Sequence, residues 1–238
     1  MVNNNFNRLF VGIILVATVL FSYFLILDKF LLLILVVLIS YDILYMKISS
    51  IYFPVFFLLI SFLSFLFIPH FFFTHLYIFQ LIIVLSILIF KNIKKILFIL
   101  STYLFCFFLF YIVNTDRNLF YLIILISFLN DSFAYISGRS LGGPLILPKI
   151  SPKKTWSGTS ISFCLSSLFL VYLNFNIFMS IIVSIFLFIG DIFFSYMKRF
   201  LKIKDFSSLL GGHGGILDRI DSMFFVVIIF QIYLIYLI

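Results

Sequence analysis

The chain has 238 residues, of which 65% are apolar and only 10% charged, against roughly 25% charged in an ordinary soluble domain. Mean hydropathy is +1.32, more apolar surface than a soluble core of this length can hide. Composition therefore excludes a soluble enzyme, a disordered tail and a nucleic-acid-binding domain, in spite of a net charge of +8. The bilayer is the expected solvent.

A membrane span needs about 20 largely apolar residues. Polar breaks divide the chain into nine candidate spans: 9–27, 30–46, 51–69, 71–90, 96–113, 119–137, 159–174, 176–197 and 222–238. The boundary at His70 is the weakest of the breaks. No small-residue cleavage site follows the first span, so it is read as a retained anchor. With nine spans, fourteen of the sixteen Lys and Arg fall on the side of the N-terminus and only Lys29 and Arg117 on the other. Cytoplasmic loops collect basic residues, which places the N-terminus and the loops 138–158 and 198–221 in the cytoplasm and the C-terminus outside. The expected fold is all-α and polytopic. Residues 1–118 form N-terminal transmembrane helices, and residues 119–238 form a catalytic membrane region. Cys106 and Cys164 lie in apolar runs and read as small core residues.

Before residue 118 the only notable polar side chains are Asp42, His70 and His75, each read as lying near an interface or satisfied inside the bundle. From 130 to 222 the chain carries five of its eight Asp and nine of its sixteen Lys and Arg. Asp191 lies about 22 Å along the eighth span and Asp131 about 18 Å into the sixth, at 1.5 Å per residue. An Asp at mid-helix costs about 2.5–3.5 kcal/mol on insertion scales, so each needs a cation, a donor or a watery cavity. Asp191, Ser195, Lys198 and Lys202 share one helical stripe, as do Asp131, Tyr135 and Gly138. Ala134 and Gly138 are a small pair that admits a close backbone, and Asp218 and Asp221 share a face.

Carboxylates converging without a Cys or His cluster suit a hard cation such as Mg²⁺. The run Gly211-Gly212-His213-Gly214-Gly215 has the character of a phosphate cradle, though such runs also serve as plain turns. The segment Pro148 to Trp156 sets Lys149, Lys153 and Lys154 against the membrane. It also fits a topology signal that binds anionic lipid headgroups.

At these residues the sequence resembles the phosphatidate cytidylyltransferases, or CDP-diacylglycerol synthases. The family signature is filled by Ser195, Lys198, Arg199, Lys204, Asp205, Gly211, His213, Gly214, Gly215, Asp218, Arg219 and Asp221. Asn130-Asp131 through Arg139 and the Ser151-Pro152-Lys153-Lys154-Thr155-Trp156 run add to it, so the resemblance spans about residues 128–230. The chain departs from the family at Phe194 and Ser157, where many members carry Glu, and at Gly211, where they carry Pro. There is no Glu anywhere in this sequence.

The resemblance implies a reaction in which CTP and phosphatidate give CDP-diacylglycerol and pyrophosphate. It implies Asp191 and Asp218 as catalytic metal ligands, with Asp221 and Asp131 as further ligands or orienters. Lys198, Arg199 and Arg219 would bind phosphates, Lys149, Lys153, Lys154 and Lys204 would help hold CTP or the lipid headgroup, and Gly214 and Gly215 belong to the cradle. Ser195 is open as ligand or hydrogen-bond partner, and His213 as phosphate contact or structural bond. Mg²⁺ is the implied cofactor, with a second cation left open, and the implied setting is a cytoplasmic or inner membrane. The resemblance also implies a homodimer, for which the sequence has no signal of its own. Three other readings stay open. One is a CTP-dependent lipid kinase of the polyprenol or phytol type, one an anion transporter, and one an inactive scaffold. Polar residues gathered on one side, without an inverted repeat, weigh against transport.

Overall fold

The computed structural model describes residues 2–45, 93–210 and 214–237. The first two helices, α1 (Val2–Phe24) and α2 (Asp28–Tyr45), are separated by a three-residue corner in which Ile26 takes a positive φ of 57°. Asp28 opens α2, where a carboxylate meets the positive end of the helix. It pairs with Arg117 at 2.8 Å, and the Arg117 guanidinium lies 4.9 Å over the Tyr23 ring. That corner is thereby tied to Arg117, two residues beyond the end of α3 (Ile93–Thr115). Leu32, Val36, Ile39 and Ile43 bury one face of α2, at the three-to-four-residue spacing of a helix stripe.

Helix α4 (Arg117–Leu141) leads into a small antiparallel hairpin, β1 (Leu145–Leu147) and β2 (Ser151–Thr155), with Leu145 opposite Thr155 and Leu147 opposite Ser151. The expected loop at 138–158 is thus partly strand. Gly142 and Gly143, at φ of 64° and 112°, make the turn out of α4 that a side chain would strain. Thr155 ends β2 and caps α5 (Trp156–Tyr172), accepting the Gly158 N–H at 3.2 Å; a hydroxyl there satisfies a backbone donor that the helix leaves orphaned. Helix α5 closes on Asn174 at φ 67°, with bonds from Phe175 N to Leu170 O (3.1 Å) and Asn174 N to Val171 O (2.9 Å). This is the left-handed stop that Asn tolerates. Asn176 then caps α6 (Ile177–Phe200) through Phe178 N at 3.0 Å. The last helix is α7 (Met223–Leu237).

Seven of the nine expected spans overlap helices, with ends within about four residues except that α1 begins at Val2, seven residues before the expected start. The spans at 51–69 and 71–90, with Lys47, His70, His75 and Lys91, lie outside the described residues, as do Gly211, Gly212 and His213 of the glycine run. Among the described residues two helices, Arg117–Leu141 and Ile177–Phe200, are long and apolar enough by composition to cross a bilayer. Large apolar side chains stand exposed on them, among them Leu125, Phe128, Ile136 and Phe178; water would penalise such a surface and lipid does not. Cys106 is buried as expected, whereas Cys164 is exposed, on an apolar helix that tolerates it there.

The chain divides into two compact units. One comprises Met1–Arg117 with Ile203–Asp218, the other Asn118–Lys202 with Arg219–Ile238. Residues 203–218 are therefore built into the N-terminal unit, although in sequence they adjoin the C-terminal helices.

In the second unit the small residues of α4 do what their spacing predicts. A Cβ on Gly158 would come within 2.7 Å of the Ala134 carbonyl and 3.1 Å of the Gly138 Cα, so α4 and α5 touch backbone to backbone. We expect Gly158→Ala to cost about 1–3 kcal/mol through overpacking, read as a lowered melting temperature in detergent. An unchanged melting temperature would mean that the two helices stand further apart.

Candidate active site

Three carboxylates come together in the second unit. Asp131 stands on α4, Asp191 on α6, and Asp221 on the segment just before α7. They are near enough that Asp131 and Asp221 each feel the charge of Asp191, and Asp221 that of Asp131. Gly190 brings α6 in: a Cβ there would lie 2.8 Å from the Asp221 carbonyl and 2.9 Å from that of Ser222. The Ser127 and Ser222 hydroxyls pair across the same junction, and Asp221 Oδ1 accepts the Ser222 N–H at 2.9 Å. Asn130, beside Asp131, is held through its Oδ1 by the Ser166 hydroxyl at 3.2 Å.

Cations answer the carboxylates. The hairpin places Lys154 so that its ammonium contacts Asp191 Oδ2 as an ion pair, while Lys198, two turns along α6, reaches Asp221 Oδ2 at 4.0 Å. Arg219 and Lys154 both act on Asp131. The Lys154 Nζ is buried yet makes no aligned hydrogen bond, so its hold on Asp191 is charge without direction. Burial, followed by the charges of Asp191 and Asp131, raises the Asp221 carboxyl well above the ordinary carboxylate range. Two like charges brought out of water oppose ionisation, and the cluster stays ionised to the extent that cations neutralise it.

The remaining predicted residues are distributed as follows. Ser195 is buried one turn past Asp191. Arg199 donates from Nε to the Ile150 carbonyl at 3.1 Å, which joins the end of α6 to the hairpin turn. Lys149, Lys153 and Lys204 are exposed, and so is Arg219. Asp218 belongs to the first unit, where its Oδ2 accepts Phe206 N at 3.0 Å and Gly215 N at 2.8 Å. Gly214, at φ 78°, lies so close to that carboxylate that a Cβ would approach Oδ2 to 2.6 Å. The two positions where the family carries Glu have structural work here. Phe194 is buried against Phe224 with ring centroids 5.2 Å apart. Ser157 bonds the Gly142 carbonyl and lies 3.1 Å from Thr155 Oγ1, closing the hairpin onto α5.

The donor set is oxygen alone, which suits Mg²⁺. Among the described residues no three His, Cys, Asp or Glu side chains are already spaced as a metal shell, and the ammonium of Lys154 rests on one of the three carboxylates. Mg²⁺ commonly keeps waters and substrate phosphates among its ligands, and a site at these carboxylates would need such ligands to complete it.

Asp42, on α2, is the polar residue that sequence reasoning undervalued. It is fully buried, and it accepts hydrogen bonds from Ser207 Oγ at 2.6 Å and Leu217 N at 2.8 Å. The signal available in the sequence was its cost: a lone Asp inside an apolar span needs partners of its own.

Over residues 6–237 the chain matches the cytidylyltransferase family, and it belongs to that family. It is similar to the phosphatidate cytidylyltransferase of Rickettsia bellii, 38% identical over 109 residues that make up 39% of this chain and 47% of the relative. The phosphatidate cytidylyltransferase of Aquifex aeolicus is 39% identical over 126 residues, 50% of this chain and 49% of the relative. That of Staphylococcus haemolyticus is 39% identical over 140 residues, 54% of each chain. The chain spans about half the length of these relatives.

Proposed function

We propose that this protein transfers a cytidylyl group from CTP to phosphatidate, forming CDP-diacylglycerol and pyrophosphate. The observation that carries the reading is the meeting of Asp131, Asp191 and Asp221 with Lys154 and Lys198 in a chain of the cytidylyltransferase family. A phosphate oxygen of phosphatidate attacks the α-phosphorus of CTP. The bond from that phosphorus to the bridging oxygen breaks, and pyrophosphate leaves with the electron pair. A phosphomonoester has a second pKa near 6, so the nucleophile is largely ionised at neutral pH and needs no strong base.

The obstacle is bringing two anions together, and the residues address it directly. Lys198 and Arg219 neutralise phosphates, and Lys149, Lys153 and Lys204 gather CTP or the lipid headgroup at the cytoplasmic surface. Lys154 exchanges part of its contact with Asp191 for a phosphate oxygen. Asp131, Asp191 and Asp221 would hold Mg²⁺, which when bound supplies charge neutralisation and an in-line template for displacement. Asp218, whose Oδ2 accepts from Phe206 and Gly215, steadies Gly214 and Gly215 as phosphate contacts and stays a proposed further metal ligand. The proposed setting is a cytoplasmic or inner membrane, crossed nine times with the N-terminus inside. The fourteen-to-two split of basic residues supports that orientation. A homodimer is proposed as well, on the family relation.

The test is incorporation of radiolabelled CTP into lipid by the detergent-purified chain, with phosphatidate and Mg²⁺, alongside EDTA and alongside a polyprenol acceptor. Mg²⁺-dependent CDP-diacylglycerol is the expected result. Label passing to the polyprenol, or no label from folded protein, would overturn the reading. Asp218→Asn keeps one acceptor oxygen for the two N–H groups, so about a tenfold loss is expected, the size of one charged hydrogen bond.

A further inference from the structure

Asp42 has no place in the chemistry just described, yet it is a wholly buried carboxylate in an apolar helix, a position that costs free energy unless something offsets it. Among the described residues, the hydrogen-bond partners of its side chain lie in one distant segment. Its Oδ1 accepts the Ser207 hydroxyl at 2.6 Å and its Oδ2 the Leu217 N–H at 2.8 Å. Those two residues stand on opposite sides of the glycine run, so a single carboxylate joins both of its stems. Gly215 packs directly on the same group: a Cβ added there would land on Asp42. One turn along α2, Tyr45 accepts the Ser208 hydroxyl at 3.2 Å. Phe206 stacks on Phe98 of α3, centroids 5.4 Å apart. Within the segment, Leu210 N bonds Gly214 O at 2.9 Å and Leu209 N bonds Ser207 Oγ at 3.2 Å.

We propose that Asp42 is a positioning residue: from α2 it staples Ser207 to Leu217 and fixes Gly215 between them, and so holds Gly214 and Gly215 for the phosphates of CTP. The last clause rests on the function proposed above; the staple does not. A glycine-rich loop loses much conformational entropy when it is held for a ligand. A charge-assisted tie at both ends removes part of that loss before substrate arrives. The carboxylate acts here through shape and acceptor count, not through its charge on the substrate. An amide of the same shape is therefore the conservative replacement, since its oxygen accepts from Leu217 and its N–H₂ donates to the Ser207 hydroxyl.

The experiment uses the full chain in detergent micelles, with Asp42→Ala, Asp42→Asn and Ser207→Ala compared with wild type. Hydrogen exchange of peptides covering 204–220 and the KM and kcat for CTP are the readouts. Asp42→Ala is expected to speed exchange in that segment and to raise the KM for CTP, each by about tenfold to a hundredfold, with kcat changed less. Asp42→Asn is expected to recover most of both effects, and Ser207→Ala to fall between. Unchanged exchange and KM in Asp42→Ala would overturn the proposal. So would an Asn variant as impaired in KM as the Ala variant, because charge rather than the tie would then matter. If Asp42→Ala does not fold, Ser207→Ala decides: exchange at 204–220 equal to wild type overturns the staple, and faster exchange supports it. A wild-type chain that does not use CTP would sink the proposed function, while the exchange comparison still decides the staple.

Discussion

Asp191→Asn is expected to lower CTP-dependent formation of CDP-diacylglycerol by about a hundredfold to a thousandfold, the usual cost of losing a preorganised electrostatic element. Asn preserves the size of the side chain and one acceptor oxygen, so α6 keeps its approach to residues 221–222, which depends on Gly190. The charge is what disappears. Lys154, now in contact with a neutral amide, keeps Asp131 and Asp221 as its remaining anionic neighbours. The Mg²⁺ site proposed above would lose one of its carboxylates. Product formation at several Mg²⁺ concentrations, with circular dichroism to verify folding, checks the prediction. A variant within a fewfold of wild type at all of them would place the chemistry elsewhere.

The second large effect belongs to Lys154. Replacing it with Met keeps the apolar stem and removes the ammonium that contacts Asp191. Removing one partner of a buried pair costs about 3–5 kcal/mol because the other charge is stranded. The side chains here keep relative exposures of 23% and 24%, so solvent screening reduces that to about 1–2 kcal/mol. The melting temperature of Lys154→Met should fall accordingly, and Mg²⁺ should restore more of it than it adds to wild type, since the cation replaces a missing positive charge. The double variant Lys154→Met/Asp191→Asn should recover stability relative to Lys154→Met alone, the non-additivity expected of residues in contact, while remaining inactive. Equal Mg²⁺ stabilisation of wild type and Lys154→Met would show that the ammonium and the metal do not serve the same carboxylates.

Hydrophobic runs located the helices because in lipid the backbone must satisfy itself locally, and a helix is the way a single segment does so. The ends were less legible, since α4 and α5 run a few residues past their predicted limits, to Leu141 and back to Trp156. Most of those residues are polar or small, and Thr155 and the hairpin hold them. The hairpin itself was missed: Leu145–Leu147 is three residues long, and β2 contains Pro and two Lys. Such short strands exist because they pair with each other, not because of their own propensity.

By itself, the sequence determined the largely helical fold, the described helices, the close approach at Ala134 and Gly138, and the gathering of acids and bases between residues 130 and 222. Each of these follows from local composition or from spacing along one helix. Tertiary structure alone decided that Asp42 binds Ser207 and Leu217 across 165 and 175 residues. It also decided that the segment 203–218 joins the N-terminal helices and that Lys154, rather than its neighbour Lys153, turns in to Asp191. The physical reason is that a buried charge is satisfied by whichever partner the packing delivers, and nothing in the spacing of one helix says which distant segment will cross its path.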